Sequence, residues 1–65
     1  MIEDEKLKSY VEMLSEVFAL QKMCKTLKQE GMEYEGIDNH LVLFHQMTVA
    51  LVEAMNARLK ELMND

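Results

Sequence analysis

EGMEYEGIDNH, residues 30–40, lies between two long stretches of helical patterning and holds both glycines of the chain, Gly31 and Gly36. There is no proline among the 65 residues, so the strong helix breakers are confined to this one place. The flanking stretches, about 3–30 and about 38–64, can therefore each form one uninterrupted helix, roughly 40 Å long at about 1.5 Å per residue. Two helices joined by a short loop over 31–37 bury apolar surface only by running antiparallel. The expected fold is all-α: an antiparallel two-helix hairpin forming a single domain over residues 1–65.

The quoted stretch reads as stop, loop and restart. Gly31 stands where a left-handed residue ends a helix, and Met32 is then placed to touch Leu27. Asp38 is a natural N-cap for the second helix, with Ile37 and Val42 spaced as a hydrophobic staple around it. Glu3, Asp4 and Glu5 fall in the first turn of helix 1, and Lys22, Lys25 and Lys28 approach its end. Asp38 opens helix 2, and Arg58 and Lys60 lie near its close. All four groups complement the helix dipoles. Only Glu33, Tyr34 and Glu35 are left without a structural task on this reading.

Helix 1 carries Leu7, Tyr10, Val11, Leu14, Val17, Phe18, Cys24 and Leu27 at three- and four-residue steps, with Met13 and Leu20 on one flank. Helix 2 carries Leu41, Phe44, Met47, Leu51, Val52, Met55, Leu59 and Leu62, with Leu43, Ala50, Ala54 and Ala57 beside them. At about 100° per residue each apolar arc spans roughly 200°, more than one partner helix covers. A second helical surface is implied, and a copy of the same hairpin is the simplest supply. Two hairpins then form a homodimeric four-helix bundle with coiled-coil-like packing. The interface is expected at Leu7, Leu14, Val17, Phe18, Gln21, Phe44, Thr48, Leu51, Met55 and Leu62. If Leu27 sits near Leu41, then Cys24 faces Phe44, Val17 faces Leu51, Leu14 faces Met55 and Leu7 faces Leu62. The same register brings Gln21 to Thr48. These are the polar exceptions on the two arcs, and they are expected to form a buried polar layer that specifies register.

Composition agrees with an assembly. A chain of this size buries only about 60% of its unfolded surface, so a lone core is marginal. Cys24 is the one cysteine, which excludes an intrachain disulfide and leaves no pair for a structural zinc. Oligomerisation is the remaining remedy. Twelve acids against seven bases give a net charge of −5, so nucleic acid is a poor partner. The bases cluster as Lys22, Lys25 and Lys28 and form no basic stripe. An anionic membrane surface repels such a chain as well. The longest run without a formal charge, residues 39–52, is too short to span a bilayer. The first ten residues lack the basic and apolar regions of a signal peptide. A cytoplasmic protein is expected.

The side chains able to do chemistry are few. His40 and His45 lie five apart, about 140° apart on a helix, and cannot share a metal. Glu33, Glu35, Asp38 and His40 lack the ligand spacing of a calcium loop. Cys24 faces Phe44 in the expected register, where a nucleophile needs a base. No Gly-rich phosphate loop is present. Neither a cofactor nor catalysis is expected. Seven methionines suit both a core and an adaptable surface. Met13, Met47 and Met55 are assigned to the core, while Met23 and Met32 join Tyr34 in an exposed contact patch. Arg58 lies inside the apolar arc of helix 2, either snorkelling at the bundle end or meeting a partner. The expected function is a self-associating helical hairpin serving as a protein-interaction module: a regulator, an assembly chaperone or an accessory subunit. The alternative is a hairpin completed only inside a hetero-complex. A nucleic-acid-binding helical bundle is the least supported reading.

Overall fold

A computed structural model describes residues 4–64. Glu3, expected in the first turn, lies outside them. Two helices, α1 (Glu5–Gln29) and α2 (Ile37–Met63), pack antiparallel into a hairpin measuring 50 × 20 × 13 Å.

The helix ends follow local chemistry. Asp4 is not part of the first turn but caps it: its backbone is extended and its Oδ1 accepts a hydrogen bond from Leu7 N at 3.0 Å. A short carboxylate in this position satisfies one of the amides that a helix start leaves unpaired. At the other end Gly31 takes φ 72°. Met32 N then donates to Leu27 O at 2.8 Å and Gly31 N to Lys28 O at 3.2 Å, the paired bonds of a Schellman stop.

The restart differs from the expected one. Asp38 is not the N-cap. Gly36, at φ 91°, precedes the helix, and no side chain caps it. The helix begins at Ile37, whose side chain is buried. Drawing that side chain onto the seam starts the helix before Asp38 can serve as cap. The Asp38 carboxylate instead accepts a hydrogen bond from Lys28 Nζ at 2.6 Å, bridging the two sides of the loop.

The seam between the helices is regular. Leu7, Tyr10, Leu14, Val17, Gln21, Cys24 and Lys28 in α1, and Ile37, Leu41, Phe44, Thr48, Leu51, Met55 and Arg58 in α2, are all buried or half-buried. Both rows alternate steps of three and four, the heptad spacing of a coiled coil. Near their middle lies the polar layer, half-buried rather than buried because a single seam does not cover it: Gln21 Nε2 donates to Thr48 Oγ1 at 3.3 Å, and Thr48 Oγ1 donates to Phe44 O at 3.0 Å. The threonine hydrogen is thus directed along its own helix, leaving its lone pair for the glutamine.

Candidate functional site

Chemistry-bearing side chains gather at the two ends of the hairpin, and apolar ones line its two broad sides. At the loop end Tyr34 folds back over the seam. Its hydroxyl lies 2.7 Å from His40 Nδ1 and 3.6 Å from Cys24 Sγ. The His40 ring stands 5.5 Å from that of Tyr34 and 6.0 Å from that of Phe44, within the range of favourable aromatic contacts. The hydrogen bond with the Cys24 sulfur, with loss of water around the ring, raises the Tyr34 pKa above 10.0. Tyr34 thus has a structural task that the sequence reading did not assign: it latches the loop onto α1 and α2 together. The arrangement links a thiol to an imidazole through a phenol. Cys24 is nevertheless only 5% exposed, which leaves Sγ little access to a substrate.

At the opposite end Arg58 holds Asp4. Its Nε donates to both carboxylate oxygens at 3.2 Å and its Nη2 to Oδ2 at 2.7 Å, while Nη1 donates to Glu61 at 2.8 Å. The guanidinium, with the Leu7 amide, lowers the Asp4 pKa from 3.8 to about 2, and the two carboxylates raise that of Arg58. Lys28 is raised likewise by its contact with Asp38.

The broad sides are unlike. One is a groove lined by Met13, Glu16 and Leu20 of α1 and Met47 and Ala50 of α2, with Val17 and Leu51 of the seam beneath them. On the other, Phe18 opens beside Lys22, Lys25 and Gln29. Among the described residues, fifteen large hydrophobic side chains are exposed, against four hydrophobic residues buried in the core, Leu7, Val17, Cys24 and Ile37. That excess follows from size: two helices with one seam leave most of each apolar arc outside it.

The residues expected at the assembly interface fall into three classes. Leu7 and Val17 are buried, Leu14, Gln21, Phe44, Thr48, Leu51 and Met55 are half-buried, and Phe18 and Leu62 are exposed. Of the expected partner contacts, Met23 and Met32 share an apolar depression with Ala19 and Leu27. Tyr34 is exposed, as expected, but directs its hydroxyl inward to Cys24 and His40. Arg58 lies at the far end of α2, roughly 30 Å from the loop by helix rise, with its charge taken by Asp4 and Glu61. The Cys24–Tyr34–His40 contact was missed because it depends on which way a loop side chain points. The one available signal was a tyrosine placed between two helix ends that carry hydrogen-bonding side chains. Among the described residues, no group of three or more His, Cys, Asp or Glu side chains is disposed to hold a metal ion. No helix among them is long and apolar enough to cross a membrane.

No family model matches the chain, and no solved structure matches it. The chain is similar to a segment of the human protein bicaudal D homolog 1, with 40% identity over 58 residues that cover 86% of this chain. It spans about 6% of the length of that relative.

Proposed function

We propose that the protein is a helical-hairpin interaction module that associates with itself, as a homodimeric four-helix bundle, and has no catalytic activity of its own. One observation carries this reading: the exposed apolar side chains run along both broad sides of the hairpin, far in excess of the buried core. Removing one such leucine or phenylalanine from water contributes about 1.5–3 kcal/mol, and a hairpin this small needs that contribution. A second copy supplies it with the same heptad chemistry that closes the seam. The likeness to a short segment of a far longer protein fits a helical interaction module. In such a dimer the side that remains open is where a different protein docks, as expected of a regulator, an assembly chaperone or an accessory subunit. We assign the cytoplasm as its compartment, where the lone Cys24 stays reduced.

Sedimentation equilibrium over a wide concentration range tests the reading, together with thermal unfolding at the same concentrations. A dimer whose melting temperature rises with concentration is expected. A monodisperse monomer with a concentration-independent, cooperative transition overturns self-association. A poorly folded monomer that aggregates overturns it too, in favour of a hairpin completed by a different protein.

A further inference from the structure

We propose that the second copy docks on the Met13–Leu20–Met47–Ala50 side of the hairpin, with its loop at the opposite end of the bundle. The inference rests on the self-association reading above and adds the side and the direction.

The choice of side follows from charge. On the Phe18 side, Lys22 and Lys25 border the exposed ring. A copy docked there covers two lysines of each hairpin beside that ring, a desolvation cost in either direction of docking. On the groove side, Glu16 is the one charged residue among those lining it. The groove also continues along α1 as a second row at three- and four-residue steps, through Met13, Glu16, Leu20, Met23 and Leu27, apolar but for Glu16, with Lys6 toward one end and Glu30 at the other. Such a row is what a helix presents to a second neighbour in a bundle.

Direction follows from the unlike ends of that row. Turned end for end, one copy sets its Lys6 against the other's Glu30 and its Met13 against the other's Met23. On α2 the large side chains of this side, Leu43 and Met47, lie in the loop half, and Ala54 and Ala57 lie in the terminal half. Reversal places large against small, the condition for close packing. Docking with both loops at one end instead brings the two acidic loop regions, each with Glu30, Glu33, Glu35 and Asp38, to the same end of the bundle. In each copy the Lys28 ammonium is already committed to Asp38. The reversed arrangement assigns Met23 to the dimer contact rather than to a different protein.

Disulfide trapping tests this. In a Cys24→Ala background, Met13→Cys and Met23→Cys are introduced singly and together, with Val42→Cys plus Val52→Cys, likewise ten positions apart, as the pair for the other side. Positions 13 and 23 of one helix are about 15 Å apart, too far for a bridge within a chain. Mild oxidation of the Met13→Cys/Met23→Cys chain is expected to trap a covalent dimer at least 10-fold more efficiently than either single variant. Equal trapping by Met13→Cys alone overturns the direction, and preferential trapping by the Val42/Val52 pair overturns the side. Should the Cys24→Ala background fail to fold, charge reversal on the native chain decides. Lys6→Glu is expected to weaken the dimer by about 5-fold, and adding Glu30→Lys to restore it; no weakening, or no restoration, overturns the pairing. Sedimentation of the unmodified chain separates the two levels. A monomer refutes self-association itself, whereas a dimer without the 13–23 bridge refutes only this docking.

Discussion

Arg58, near the end of α2, grips both carboxylate oxygens of Asp4, the cap of α1, at 2.7–3.2 Å across 54 positions of sequence. One carboxylate therefore serves two purposes, closing a helix start through Leu7 N and tying the two chain ends together. Both side chains are largely shielded, with 25% and 16% of their surfaces exposed, so the fork-on-carboxylate geometry is better protected from screening than an open surface pair.

The pH dependence of this contact has a definite sign. The Asp4 pKa falls from 3.8 to about 2 on folding, so the unfolded chain binds the proton more readily. The contact's stabilisation is fully present above 3.8 and is lost as pH falls through about 2. Asp4→Asn keeps a cap and removes the charge. Its melting temperature is expected to lie below that of the parent at pH 7, with the gap closing near pH 2. A gap that persists unchanged at pH 2 contradicts the ion-pair account.

Gln21 and Thr48 form a directional layer, and their substitutions are expected to be non-additive. Thr48→Val alone strands the Gln21 amide and is expected to cost about 1 kcal/mol. Gln21→Leu alone leaves Thr48 bonded to Phe44 O and is near neutral. The double change Gln21→Leu/Thr48→Val is expected to stabilise by about 1 kcal/mol, because apolar packing replaces both partners. Denaturant unfolding of the four chains gives the coupling directly. A clear loss in the double variant means that the layer stabilises the hairpin.

Gly31 ends α1 at φ 72°, and a side chain added there meets nothing within 4 Å. Its requirement is therefore purely conformational. Gly31→Ala is expected to cost about 1 kcal/mol, and Gly31→Asn less, since asparagine tolerates the left-handed region. Equal stability of all three chains by thermal unfolding excludes the left-handed stop.

The Tyr34 latch predicts an alkaline loss. Because its folded pKa lies above 10.0, its contribution is present below pH 10 and disappears as pH rises through the folded value. Tyr34→Phe is expected to lower the melting temperature at pH 7 and to shed this part of the alkaline decline. Phenolate absorbance, compared between the parent and Tyr34→Phe, shows whether Tyr34 titrates above 10.0.

Much of this molecule is local. The two helices, the stop at Gly31 and the matching of Gln21 with Thr48 follow from periodicity and from a single region of breakers, because helical spacing maps sequence steps directly onto faces. Helix starts were less legible. Asp4 moved outside the first turn and Asp38 moved inside it, since capping depends on backbone angles that neighbouring side chains, above all the buried Ile37, impose. The contacts that join distant positions were decided by the tertiary structure. Arg58 finds Asp4 only because the antiparallel packing brings the chain ends together, and Tyr34 reaches Cys24 and His40 only because the loop turns its ring inward. Periodicity specifies which face of a helix a residue occupies. It carries no information on the direction of a loop side chain or the reach of a long one, and at both ends of this hairpin those decide the chemistry.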